Sequence, residues 1–476
     1  MRRCADWSSA WAVLSLSDAS RFPILFLLPH SSSKLADKMT GNAAFREHHR
    51  AMKWAVTMAC LLLSVAAVAQ DQDYIEHRLK AGESPFTLAR DYMSSPGSYP
   101  AILQVNRIAN ARRIPLGTII RLPRHLLAYR SADLRVEAFS GEVTIDGRPA
   151  ARGMAVPEGA KIRTGRMGFV SLRGSDGSVV TMPTNTLAQL VRARIYRLDD
   201  LKDIEFRVLE GRGEAQVPGL RPRERYKIGT PKAVTAVRGT VFRVGYDDAG
   251  GRSVVEVVEG AVSTAAGEQE ALTAAGFGIA ATPAGLSREE RLLPPPAIVE
   301  PGAIQTQPLL SFAIALPPTA VGIRTQIARD AGFTDIIGEQ VSEGGQAPAF
   351  SDVADGRYFV RARAISASGI EGQSEVYSFR RKRLGASAST QPSPLDDAYR
   401  FVWLQDGEGE TTYAFQLWNT ASPANLIADE VALSQQEIVV TDLAPGTYEW
   451  RVAAIQIDEE GLLQVWGPTQ RLNVTE

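Results

Sequence analysis

The sequence predicts a mainly β, multidomain protein: a small βααβ module, then a β-sandwich or β-roll region, then two β-sandwich modules. Its 40 Gly and 27 Pro punctuate many short apolar runs, a spacing that suits strands and turns rather than long helices. The 476 residues exceed one domain's worth, since domains run to ~150 residues. A turn-and-strand segment also recurs late in the chain, which implies a duplicated unit. With 45% hydrophobic and 22% charged residues, the composition is that of a globular chain. Lys+Arg 52 against Asp+Glu 53 leaves a net charge of -1, which removes the electrostatic case for a nucleic-acid partner.

At the amino end, Met52-Lys53-Trp54 is followed by an apolar run from Ala55 to Val65, then by Ala66-Ala67-Val68-Ala69-Gln70. A basic start, a short apolar centre and small residues at Ala67 and Ala69 are the parts of a secretory signal. Residues 1–51 therefore read as the product of a mis-assigned start, and 52–69 as a signal peptide cut before Gln70. Export to the periplasm is expected. Cys4 and Cys60 both precede that cut, so the mature chain can form no disulfide. No later run approaches the ~18 apolar residues of a membrane helix, and no membrane span is expected in the mature chain.

Residues 74–123 read as strand, helix, helix, strand. Ile75, His77 and Leu79 alternate with Tyr74, Glu76 and Arg78, and Lys80-Ala81-Gly82-Glu83 makes a turn. Ser84 is an N-cap with Pro85 at the first helical position, and Phe86, Leu88, Ala89 and Tyr92 follow at helical spacing. A second helix carries Ile102, Leu103 and Val105 and stops near Asn106; Gly117-Thr118-Ile119-Ile120-Arg121-Leu122-Pro123 closes the unit as a strand. This order resembles a LysM module. Ser94-Ser95-Pro96-Gly97-Ser98 lengthens the link between its helices, and Pro85 stands where that family usually has Leu. The resemblance implies a shallow groove for N-acetylated glycan, that is, peptidoglycan. Its walls would be Gly82, Glu83, Ser84, Pro85 and Phe86 on one side and Asn110, Ala111, Ile114, Pro115 and Leu116 on the other.

Residues 134–285 read as a β region. Runs such as Val136 to Phe139, Phe169 to Leu172, Val179 to Met182, Ile204 to Leu209 and Val254 to Val258 are separated by turn residues, and Asp146-Gly147 and Asp176-Gly177 are hairpin signals. Gly229-Thr230-Pro231-Lys232-Ala233-Val234-Thr235-Ala236-Val237-Arg238-Gly239-Thr240-Val241-Phe242-Arg243-Val244, with Gly-x-Val pieces at Gly141 and Gly260, resembles the FecR domain. FecR-like proteins pass an envelope signal to a sigma factor, which implies a regulatory role.

A Pro-rich linker spans 286–302. Beyond it, Gly356-Arg357-Tyr358-Phe359-Val360-Arg361 realigns with Gly446-Thr447-Tyr448-Glu449-Trp450-Arg451. Modules are expected at 303–381 and 395–474, with Trp403 and Trp450 in a core, and with Arg380-Arg381-Lys382-Arg383 and 385–394 as an exposed linker. They resemble fibronectin type III or immunoglobulin-like sandwiches.

Few groups suit catalysis. After the cleavage site only His77 and His125 remain, and each reads as a packing or surface residue rather than a triad base. Asp199-Asp200, Glu256 with Glu259, and Glu289-Glu290 are the carboxylate pairs, all expected to be solvated. The arginines at 192, 194 and 197 and those at 221, 223 and 225 read as strand faces balanced by nearby acids. No metal spacing or cofactor is expected. The sequence thus points to an exported, non-enzymatic peptidoglycan-binding protein that presents β domains to an envelope protein partner, with a FecR-like regulator as the alternative.

Overall fold

The structure, a computed structural model, describes residues 74–475 apart from Arg238 and Asp396. The leader, the signal peptide and both cysteines lie outside the described residues. What is described is mainly β, in several sheets.

Strand Tyr74–Arg78 pairs antiparallel with Ile119–Pro123, and helices Pro85–Tyr92 and Tyr99–Val105 lie between them in sequence. The first helix starts where local chemistry dictates. Ser84 accepts from the Thr87 amide, and Thr87 Oγ1 accepts in turn from the Ser84 amide, so two orphan donors are satisfied. Ile75, Leu79, Leu88, Ile102, Ile120 and Leu122 form its core together with Tyr196, Leu198 and Leu201. Those last three belong to the next region, so this unit does not close its core alone.

The second region is organised by Leu201–Val217, a 17-residue strand. Its first half pairs antiparallel with Leu187–Tyr196 and parallel with Arg225–Gly229. Its second half pairs antiparallel with Val179–Met182 and Thr240–Asp247. One strand therefore belongs to both layers, and a single apolar cluster, with Val136, Ile162, Leu190, Phe206, Phe242 and Val257, fills the space between them. Asp146-Gly147 takes φ 51° and 75°, the two positive values a tight hairpin turn needs, and joins Val143–Ile145 to Arg148–Pro149.

Beyond the Pro-rich stretch, Gly322–Ala328 sits between Ile336–Glu343 and Gly356–Ile365, with Val376–Arg381 outside. The last sandwich packs Gly385–Pro392, Ala398–Asp406 and Glu437–Thr441 against the sheet containing Thr412–Asn419 and Gly446–Asp458. Trp403 and Trp450 are buried between the two sheets, as expected. The two segments of the internal repeat both form strands with neighbours on either side, Gly356–Ile365 and Gly446–Asp458, and bury Tyr358 and Tyr448 at matching positions.

The exposed linker expected at 385–394 is corrected. Gly385–Pro392 is a strand paired along its length with Ala398–Asp406, and Ala386 enters the core. Its small residues look like linker composition, yet Ala386 and Ala388 pack into the core that holds Trp403 and Trp450. Arg381, expected to be exposed with its basic neighbours, is buried and donates to the carbonyls of Gln305, Gln307 and Pro308. Among the described residues no helix is long and apolar enough to cross a membrane.

Candidate functional site

Two places gather chemistry. The first is a cleft of about 550 Å³ on the small unit, walled by Leu79, Glu83, Ser84, Pro85, Phe86, Tyr99, Ala111, Arg112 and Ile114. The Lys80-to-Glu83 turn closes on itself: the Glu83 amide donates to the Lys80 carbonyl, and the Lys80 amide returns a bond to Glu83 Oε2 at 2.8 Å. Buried His77 donates from Nε2 to the same oxygen at 2.8 Å. Burial pushes the Glu83 carboxyl up, but the bonds from His77 and the Lys80 amide outweigh it and hold the group below its ordinary value. The carboxylate is thus fixed at the cleft wall. Phe86 is 56% exposed and meets Tyr99 edge-on at 5.9 Å.

Of the expected groove residues, Glu83, Ser84, Pro85, Phe86, Ala111 and Ile114 share this one cleft. Gly82, Asn110, Pro115 and Leu116 sit on the flanking turns instead. Gly82 supplies a φ of 83°, Asn110 Oδ1 accepts from the Arg112 amide, and the Pro115 carbonyl accepts from Thr118. Leu116 is exposed. Tyr99 and Arg112 were not anticipated. Tyr99 follows the lengthened link, whose Pro96–Ser98 turn, capped by Ser95, runs directly into the second helix and sets that ring against Phe86. The arrangement offers aromatic and apolar walls beside one held carboxylate, suited to contact with a neutral polar ligand.

The second place is a charged junction between the large β region and the sheet that follows it. Glu256, expected to be solvated, is buried in mid-strand. Its Oε1 accepts from Arg212 Nη1 at 3.0 Å and its Oε2 from Arg243 Nε at 3.2 Å, while the Glu371 amide donates to it from 115 residues further on. Glu371 accepts from Arg324 Nε at 2.6 Å and Arg363 Nη1 at 3.5 Å, and forms an ion pair with Arg212 Nε at 3.0 Å. Arg324 also reaches Glu339 at 2.6 Å. Arg361 and Arg363 converge on Glu214 at 2.9 and 2.8 Å.

Burial opposes ionisation of Glu371, but Arg212, Arg324 and Arg363 more than compensate and hold its carboxyl well below the usual range. Glu214 is lowered in the same way by Arg361 and Arg363. Around these charges, Ser140 and Ser171 donate across the junction to the carbonyls of Ile336 and Thr334. Phe169 packs there with Phe333 and Ile336. A signal was visible in retrospect: Arg212-Gly213-Glu214 and Arg361-Ala362-Arg363 place charge at every second position, which puts it on one face of a strand. These shared pairs fasten the two sheets to each other.

Comparison with known proteins bears on the second region. Residues 160–263, inside the stretch read as FecR-like, match the family model described as FecR protein. No curated protein matches the sequence. Among solved structures, a protein from Parabacteroides distasonis assigned as an anti-sigma factor is similar at 18% identity and a TM-score of 0.24, over 28% of this chain and 59% of that one. The chain thus spans about three fifths of that structure's length. The FN1–FN3 domains of chicken CNTN1 are similar at 11% identity and a TM-score of 0.20, over 54% of this chain and 99% of that one. A two-domain fibronectin type III segment of chicken tenascin is similar at 11% identity and a TM-score of 0.18, over 38% of this chain and 100% of that one.

Proposed function

We propose that the chain is a non-enzymatic regulator of envelope signalling, of the FecR kind, whose second region meets a protein partner in the periplasm. The match of residues 160–263 to the FecR family carries this reading. The held geometry of that region supports it. One face is fastened to the next sheet through Glu256 and Glu371, whereas strand Gln269–Ala274 keeps Leu272 72% exposed on another. Leu272 also walls a cleft of about 470 Å³ with Ala236, Val237 and Ala261, so the apolar surface there extends beyond one side chain.

A photo-crosslinking residue at Leu272 tests it in cells. Capture of an envelope protein, together with altered sigma-factor-dependent transcripts when the gene is deleted, is the expected result. No cross-link and unchanged transcripts would defeat the reading.

A second role is favoured by the cleft on the small unit: retention on N-acetylated glycan through Phe86, Tyr99 and Glu83. Because that unit shares its core with Tyr196, Leu198 and Leu201, deleting 74–123 would damage the neighbour, and a point substitution is the cleaner probe. Phe86→Ala is expected to lower retention on purified peptidoglycan sacculi roughly tenfold. Unchanged retention would remove this role and leave the regulatory one standing.

A further inference from the structure

The sheet around Gly322–Ala328 ends on one side in Ile336–Glu343, a strand that pairs with Gly322–Ala328 alone. The register tells which of its backbone groups face outward. The Gly344 amide donates to the Val321 carbonyl, so in this antiparallel ladder Ser342, Gln340 and Gly338 exchange bonds with Ile323, Thr325 and Ile327, while the residues between them turn their amides and carbonyls away. Glu339 and Val341 are those residues. Among the described residues their backbone groups have no hydrogen-bond partner, which leaves donors and acceptors in a row along the edge.

That row borders a cleft of about 510 Å³. Every residue from Ile337 to Val341 lines it, whereas a strand face would offer only alternate ones, so the edge itself meets the space. Met167 and Thr184 of the FecR-like region form a second wall, and Phe350 and Val353 a third. From Gly338 to Glu343 the strand carries no Lys, no Pro and no register shift, the devices that commonly blunt an edge. Charge is uneven in the cleft. Its charged residues are Arg166 and Glu339: Glu339 accepts from Arg324, Gln326 and Thr184, while Arg166 is exposed and has no ion-pair partner among the described residues.

We propose that this edge takes an extended segment of a partner protein as an added strand, apolar where it crosses Met167 and Phe350 and acidic where it passes Arg166. The outward groups of Glu339 and Val341 supply the main-chain bonds, and the flanking walls read alternate side chains. The site needs the FecR-like region and the sheet after it together, since each supplies a wall. It is separate from the surface at Leu272, and it stands whether or not that surface or the glycan cleft is used.

Hydrogen exchange on the full chain probes the edge directly: the amides of Glu339 and Val341 are expected to exchange roughly tenfold faster than those of Gly338, Gln340 and Ser342, and equal protection of all five would overturn the proposal. A displayed library of random short peptides, selected on the full chain, supplies the occupant. Selected peptides are expected to protect the Glu339 and Val341 amides and to lose binding when N-methylated at alternate residues. Val341→Pro removes one outward donor and no ladder bond, and should weaken binding roughly tenfold. Arg166→Glu should weaken peptides that carry Glu and spare their Gln versions. The exchange and N-methylation results do not depend on either variant folding. A library that yields no peptide protecting these amides would overturn the proposal, as would protection in the free chain that rises with protein concentration, which would put a second copy at the edge.

Discussion

Glu371 carries more of the molecule's electrostatics than any neighbour of its size: it is 1% exposed and faces Arg212, Arg324 and Arg363. Replacing it with Gln keeps the volume and removes the charge, leaving three guanidinium groups short of a counterion. Losing one partner of a buried pair costs about 3–5 kcal/mol, so Glu371→Gln should shift the urea midpoint by that equivalent. The same site sets a pH dependence. Folding pulls the carboxyls of Glu371 and Glu214 below the ordinary value of 4.5, so the unfolded chain binds protons that the folded chain refuses. Their stabilisation is complete above that ordinary value and drains away as the pH falls toward the depressed folded ones. The urea midpoint of the wild type should therefore hold from neutrality down to the carboxylate range and fall steadily below it, with a shallower fall in Glu371→Gln. An equal slope in both would place the acid sensitivity elsewhere.

Elements whose shape is decided within a few residues were the legible ones. Ser84 and Pro85 announce the helix start, and the reciprocal bonds with Thr87 confirm why; Ser84→Ala should cost about 1 kcal/mol, read from urea unfolding of the first core. The repeated Gly-x-Val pieces are equally local. Gly141 has φ 63°, and a Cβ there would lie 2.0 Å from the Met167 carbonyl oxygen; Gly260 has φ 80° with Thr240 Cγ2 at 2.7 Å. Both glycines turn the chain where another segment presses close. Gly141→Ala should cost at least about 2 kcal/mol, since strained φ and a backbone clash add. Elements decided at long range were the ones misread. Gly385–Pro392 has the composition of a linker until Ala398–Asp406 pairs with it, and Glu256 looks solvated until a turn 115 residues later brings it an amide donor. The groove on the small unit was half legible for the same reason: Ser84, Pro85 and Phe86 follow from the turn, whereas Tyr99 comes from how the lengthened link folds.

Across the molecule, the contacts between successive regions differ in kind, and that difference predicts how the chain unfolds. Between the small unit and the long β region the joint is apolar, with Tyr196, Leu198 and Leu201 completing the first core. Between the long β region and the sheet around Gly322–Ala328 it is a buried ionic cluster backed by Phe169 and Phe333. The joint to the last sandwich is different again: Arg357 and Arg380 meet Glu460, and Arg380 also meets Asp458, with Arg357 74% exposed, Glu460 40% and none of these groups wholly buried. Exposed pairs of this sort contribute about 0–1 kcal/mol each, too little to force two cores to melt together, whereas buried charges that need partners from both sides penalise opening either side alone. A calorimetric scan of the full chain should therefore resolve two transitions, one for the last sandwich and one in which the FecR-like region and the sheet after it unfold as a unit. In Glu371→Gln the joint transition should split, with the sheet around Gly322–Ala328 melting first, while the last sandwich stays where it was. A single transition in the wild type, or an unsplit one in the variant, would mean that the apolar contacts alone couple these regions and that the ionic cluster is a passenger.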